Sequence, residues 1–263
     1  MKTALIGYTG FVGSNILASH PFDDLYNSSN IDKISGKSYD LVVSAANAAD
    51  SYRINQHPDE DLASIDDFAR IVSKANIGKL VLVSTVCIYA ASDRSDENTP
   101  ISVDDITPYG RNRYHLEQVL ADRFDTTALR LPQLFGLGLK KGIIYDLAND
   151  YRVEHIRPTG LFQYYGLNRL WSDIKVAIDN DLRELNVATP PISNATIAAE
   201  CFDIDISSQV PPEPESEFSR MYTRNMTTVH SALFGRDDGY LMDEHDELSG
   251  IRQFLNQPIE SDV

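Results

Sequence analysis

The chain has 263 residues, 42% of them hydrophobic, enough for one large domain or a domain with a smaller lobe, and this excludes global disorder. Its net charge of −16 excludes nucleic acid and anionic membrane as partners, because their phosphates would be repelled. Two cysteines, Cys87 and Cys201, give neither a disulfide framework nor a Cys-x-x-Cys pair, and no run of about twenty apolar residues is present to span a bilayer.

The opening "MKTALIGYTG" is broken by glycine after a short apolar run, so it does not read as a signal peptide, and a cytoplasmic protein is expected. "TALIG" (3–7) predicts a buried strand and "FVGSNILASH" (11–20) the helix after it. "YDLVVSAA" (39–46) predicts a second clear strand. The segment 58–76 carries Leu62, Ile65, Phe68, Ala69 and Val72 at helical spacing with acids in its first turn. "KLVLVST" (79–85) predicts a third strand, 109–124 a helix and "TTALRL" (126–131) a fourth strand. Residues 136–169 are rich in glycine and aromatics, 170–180 read as a helix, and "ELNVAT" (184–189) as a short strand. "QVPPEPESEF" (209–218) reads as a linker, and "HDELSGIRQFL" as a last helix. Strands alternating with helices imply a parallel sheet covered on both faces, a doubly wound α/β (Rossmann) fold. Residues 1–135 are expected to form the dinucleotide-binding core. Residues 136–263 would form mainly a smaller substrate lobe, with 184–189 returning to the core sheet.

"GYTGFVG" sets Gly7, Gly10 and Gly13 between the first strand and the first helix. Glycines there permit a tight turn and let backbone approach a diphosphate, while the helix start supplies unpaired N–H groups. Thr9, Phe11 and Val12 share that loop and are expected to contact the cofactor. So are Ala45 and Ala46 at the end of the second clear strand, and Pro132 after the fourth. An acid usually stands at the second strand's tip to bind the ribose of NAD. The corresponding stretch "LYNSSNID" offers Asn27, Ser28 and Ser29 instead, with neither an acid nor an arginine for a 2′-phosphate. NAD is favoured, and NADP stays open.

"VSTVCIYA" (83–90) ends the third clear strand, and "PYGRNRYHLEQ" (108–118) opens the next helix. Thr85 and Tyr109 are thereby placed to face one carbonyl or alcohol, the phenol exchanging a proton while the hydroxyl polarises the oxygen. With "LRLPQLFGLG", "LFQYYGLNRLWSDIKVAI" and "LNVATPPIS", these strings resemble, over about residues 1–200, the extended short-chain dehydrogenase/reductases of the NAD-dependent epimerase/dehydratase kind that act on nucleotide sugars. The resemblance implies catalytic roles for Thr85 and Tyr109. It also implies a lysine four residues after the tyrosine, holding the nicotinamide ribose and lowering the phenol pKa. Here that residue is Arg113. A positive charge there is expected to lower the phenol by about 1–3 units; the competing reading is a helix-surface arginine beside Glu117. The resemblance further implies an asparagine in the helix before the third strand, where "EDLASIDD" offers Ser64 or neighbouring acids.

Cys87 stands where related epimerase/reductases place an acid/base cysteine, but the partner histidine is absent from "LGLKKGIIYD". Residues 140–169 hold Lys140, Lys141, Arg152, Arg157 and Arg169 against Asp146, Asp150 and Glu154, a basic stretch suited to an anionic substrate. Arg157 and Arg169 lead that set, with Tyr145, Tyr151, Phe162, Tyr164 and Tyr165 available for stacking on a base or sugar. The six histidines show no metal-ligand spacing, so no metal is expected. The expected function is an oxidoreductase or epimerase of a nucleotide-linked sugar. The alternative is a non-catalytic dinucleotide-binding protein. The resemblance also implies a homodimer through the tyrosine helix.

Overall fold

The computed structural model describes residues 1–90, 93–211 and 224–256. The chain divides into two compact units, the first comprising Met1–Ala91, Asp96–Leu131 and Asn168–Val187 and the second Ser92–Ser95, Pro132–Leu167 and Ala188–Val263. The first unit thus holds 168–183 as well as the short strand expected to return to it.

The first unit is built on six parallel strands: β1 Thr3–Ile6, β2 Asp24–Tyr26, β3 Ser38–Ser44, β4 Asn76–Thr85, β5 Thr126–Leu131 and β6 Glu184–Asn186. They lie in the order β6-β5-β4-β3-β1-β2. Helices cover both faces, so the central strands are apolar almost throughout rather than alternating. Ala4, Ile6, Val42, Leu80 and Leu82 pack on one face with Ile65, Ala69 and Val72 of α3 (Pro58–Val72) and Leu116 and Leu120 of α4 (Pro108–Ala121). The intervening Leu5, Val43, Val81 and Leu129 are equally buried and point to the opposite face. On that side α1 (Phe11–Ser19) and α5 (Leu170–Asp179) pack together.

Two elements of this unit were not legible as periodic patterns. The strand β2 is three residues long at the sheet edge. It is held by a 2.6 Å hydrogen bond between the Tyr26 and Tyr39 hydroxyls, and by another of 2.6 Å from Tyr39 to Asp24 Oδ2. The helix α2 (Ser51–Gln56) buries a single apolar residue, Ile54. Because β1 lies between β2 and β3, the strand order reverses at β1. Ligands of open α/β sheets bind at such a reversal, beyond the carboxyl ends of the strands.

The second unit is assembled from short pairs: 133–135 with 164–166 and 93–95 with 225–226, both parallel, and 161–162 with 192–193, antiparallel. Its core gathers Phe135, Ile144, Leu147, Phe162, Tyr164, Ile197, Leu248 and Ile251. The helices Ile143–Ala148, Asn194–Phe202 and Glu244–Leu255 contribute most of it. Most of the expected linker at 209–218 lies outside the described residues. Among the described residues, no helix is long and apolar enough to cross a membrane.

Glu247 of this core is 1% exposed and accepts the Tyr164 N–H at 2.6 Å. Burial pushes its carboxyl well above the ordinary glutamate range. Its contribution to stability is therefore complete below the unfolded value, near pH 4, and declines as pH rises towards the folded value. Glu247→Gln is expected to raise the melting temperature at pH 7 by at least about 2 °C and to change it little at pH 4. Thermal unfolding at the two pH values checks this, and an equal shift at both would contradict it.

Candidate active site

Gly7 follows β1 with φ +85°, and a Cβ there would lie 2.6 Å from the Ala45 carbonyl after β3. A Cβ on Gly13 would stand 2.1 Å from the Gly7 carbonyl oxygen, so loop and first helical turn are packed backbone to backbone. Gly10 is the N-cap of α1, with no side chain capping the helix. A Cβ on it would meet only the Gly7 oxygen, at 3.3 Å, and its outer side is open. The N–H groups of Phe11, Val12 and Gly13 have no intrahelical acceptors, so they and the helix dipole form a cradle for a diphosphate. Thr9 and Gly10 are exposed there, and Phe11 and Val12 half-buried. Gly13→Ala is expected to weaken NADH binding at least tenfold and to cost about 1–3 kcal/mol of stability. Fluorescence titration and thermal melts read the two effects.

Beyond β2, the Asn27 side-chain oxygen accepts from the Ser29 N–H at 2.9 Å and the Ser29 hydroxyl at 2.7 Å, and its amide nitrogen lies 3.4 Å from the Tyr8 hydroxyl. Ser28 is exposed beside it. This corner is neutral and offers amide and hydroxyl groups to a ribose, with no carboxylate at the strand tip. Ala45 and Ala46 stand at the carboxyl end of β3, the Ala45 N–H donating to Ile6 at 2.8 Å. Pro132 is half-buried directly after β5, at the start of the next segment of the second unit.

Thr85 ends β4 and caps the following turn: its Oγ1 accepts the Cys87 N–H at 3.1 Å. The hydroxyl proton is left to point elsewhere. Gly110 brings α4 onto that turn, because a Cβ there would stand 2.1 Å from the Cys87 carbonyl oxygen. Thr107 and Pro108 start the helix, and the Tyr109 N–H donates to Asn55 of α2 at 2.9 Å. Tyr109 is thereby brought near the turn that carries Thr85, and Thr85 and Arg113 both act to lower its phenol pKa. The Arg113 guanidinium carbon lies 4.8 Å from the Tyr109 ring centre. Thr85 thus lies at the end of β4, and Tyr109 and Arg113 on the first turns of α4.

Two expectations about Arg113 are corrected. It does not sit on the helix surface beside Glu117. It is 2% exposed and binds Asp61 of α3, while Glu117 binds Arg130. Nor is the phenol lowered. Burial raises the Tyr109 pKa above its ordinary value near 10 and Cys87 adds to this, outweighing the opposite pull of Arg113 and Thr85.

Cys87 is half-buried in the turn between Thr85 and Tyr109. In the first unit, Arg169 faces Asp173 at 3.7 Å. In the second, the Arg157 carbonyl accepts from Asn194 at 2.8 Å. Phe162, Tyr164 and Tyr165, expected to stack on a ligand, are core residues instead, at 7%, 4% and 0% exposure. Asn55, Asp61 and Asn112 belong to the site and went unnamed in the sequence. Their short polar side chains carry no periodic signal, although Asp61 lies among the acids of "EDLASIDD". Asp243, His245 and Asp246 bring their ligand atoms within 4.8 Å of one another, but Asp243 serves there as the N-cap of its helix.

Residues 22–159 match the NAD dependent epimerase/dehydratase family, a span that includes Thr85, Tyr109 and Arg113. No match is found among curated proteins. Among solved structures, the NAD-dependent NDP-hexosamine 5,6-dehydratase TunA of tunicamycin biosynthesis is similar at 16% identity and a TM-score of 0.73, over 97% of this chain and 96% of that one. MoeE5 in complex with UDP-glucose and NAD is similar at 14% identity and TM-score 0.72, over 97% and 98%. UDP-glucose 4-epimerase of Thermotoga maritima is similar at 14% and 0.71, over 97% of each chain. These likenesses establish a shared fold.

Proposed function

The chain belongs to the NAD dependent epimerase/dehydratase family, and we propose that it is an oxidoreductase or epimerase acting on a nucleotide-linked sugar. The observation that carries this reading is the packing of the Tyr109 helix, through Gly110, onto the turn after Thr85 at the carboxyl end of β4, with the Arg113 guanidinium carbon 4.8 Å from the Tyr109 ring centre. NAD, when bound, supplies the hydride acceptor or donor. The residues that would hold it are those of the loop from Gly7 to Gly13, with Asn27, Ser28, Ala45, Ala46 and Pro132. The loop fits a diphosphate by its uncapped helix start and open Gly10.

Thr85 donates its hydroxyl to the substrate oxygen, and Tyr109 exchanges the proton at the same atom. In the reductive direction the phenol gives its proton to a carbonyl oxygen as the carbon takes up hydride. In the oxidative direction the phenolate removes the alcohol proton as hydride leaves. Within the first unit, Arg169 is the cation assigned to the substrate diphosphate and Cys87 is assigned to the reacting end. The similar MoeE5 and Thermotoga maritima epimerase structures hold UDP-glucose, which supports this substrate class.

NADH fluorescence titration followed by turnover on nucleotide-linked 4-keto sugars tests the proposal. Saturable binding together with consumption of NADH is expected. Binding without turnover on any such sugar would favour a non-catalytic dinucleotide-binding protein, and absence of both would leave only the fold.

A further inference from the structure

Asp61 stands at the centre of a buried polar group. Arg113 reaches it with both terminal nitrogens, Nη1 to Oδ2 at 2.9 Å and Nη2 to Oδ1 at 3.0 Å, and Nη2 also donates to the Ala48 carbonyl at 2.7 Å. The neighbouring Asn112 donates to Asp61 Oδ2 and to the Pro58 carbonyl, each at 2.9 Å. The two charged side chains are 2% and 9% exposed, so water screens neither. Arg113 Nε is buried without a hydrogen-bond partner, which leaves the terminal nitrogens to fix the plane of the group.

We infer that Asp61 is the positioning residue of this site: acting through Arg113, it fixes the guanidinium over the Tyr109 ring and takes up its charge. The inference rests on the reading of Tyr109 as the proton-exchanging group. A planar guanidinium held by a carboxylate fork and a carbonyl is locked in orientation, which a lysine ammonium on a flexible stem would not be. The fork also has an electrostatic consequence. A cation paired with an anion at 2.9 Å presents a dipole to its surroundings, so its pull on a nearby phenolate is weakened.

The charged or titratable groups bearing on the phenol are Cys87 from the turn and Arg113 from its own helix, with Asp61 of α3 behind Arg113. With its pull weakened by Asp61, Arg113 does not offset the effects of burial and Cys87 on the phenol. The two departures from the family pattern, an acid in α3 and an arginine four residues after the tyrosine, are then one interaction.

The test needs neither cofactor nor substrate, so its outcome is independent of the proposed activity. The full-length protein is labelled with tyrosine carrying ¹³C at the ring carbon bonded to oxygen, and the Tyr109 signal is assigned by its loss in Tyr109→Phe. In Asp61→Asn the phenolate-to-phenol ratio at pH 10 is expected to rise about tenfold over wild type, as Arg113 regains its pull. Asp61→Glu, which keeps the charge, is expected to stay near wild type. Arg113→Lys, which keeps both charges but not the fork, is expected to shift the Tyr109 signal and its titration, and it serves as the readout should Asp61→Asn fail to fold. A folded Asp61→Asn, or Arg113→Lys in its place, whose Tyr109 titrates as in wild type would overturn the inference and leave the pair a purely structural one.

Discussion

Replacing Tyr109 with phenylalanine is expected to lower turnover on a keto-sugar nucleotide by about 10²–10⁴-fold while leaving the NADH dissociation constant within about twofold of wild type. Only the phenolic oxygen is removed. The ring still stacks with Arg113, and the backbone N–H of residue 109 still donates to Asn55. The glycine loop, at the carboxyl ends of β1 and β3, is untouched. The folding cost is that of one hydroxyl, about 1 kcal/mol, so a large loss of activity could not be assigned to unfolding. Steady-state turnover, fluorescence titration and a thermal melt on the same preparation separate the three quantities. Turnover unchanged by the substitution would move the proton-exchanging role elsewhere, with the Cys87 thiol as the nearest other titratable group on that turn.

The sheet was legible because strands covered on both faces are rich in apolar residues. "TALI", "LVVS" and "LVLVST" are largely apolar runs, "TTALRL" buries two threonines and an arginine as well, and each forms a strand close to the expected bounds. The edge strand β2 did not, since three residues, two half-buried and one buried, carry no period. Thr85 and Tyr109 were legible because a strand end and the start of the next helix fix where they lie. The partner of Arg113 was not. From the sequence, Glu117 is its neighbour at i,i+4, but helix packing buries that face and brings Asp61 from a different helix to meet it. The sign of the Tyr109 shift was missed for the same reason. Sequence shows which charges are near in the chain, whereas burial and the partner's own partner decide how much of a charge is felt.

Arg130→Met is expected to destabilise the protein by about 3–5 kcal/mol, lowering the melting temperature by about 10 °C, as removal of one member of a buried ion pair does. Arg130 is 2% exposed and binds Glu117 at 2.9 Å, the Tyr89 hydroxyl at 2.7 Å and, at its outer side, Glu184. Burial alone would lower its pKa, but Glu117, Tyr89 and Glu184 outweigh this and raise it. Without Arg130, Glu117 keeps a hydrogen bond from Ser84 but loses the only cation bound to it among the described residues, and the Tyr89 hydroxyl keeps Asn186 alone. Glu117→Gln should cost less, about 1–3 kcal/mol, because Arg130 retains Glu184 and faces a groove of about 340 Å³ that admits water. The effect should also reach the active site. Glu117 lies on the helix that carries Tyr109, and Ser84 directly precedes Thr85, so this pair holds α4 against the end of β4. Thermal melts should therefore rank wild type above Glu117→Gln above Arg130→Met, with turnover at 25 °C falling in the same order. A melting temperature unchanged in Arg130→Met would mean that desolvation cancels the attraction, and the registration of α4 would then rest on Gly110 and the Cys87 carbonyl alone.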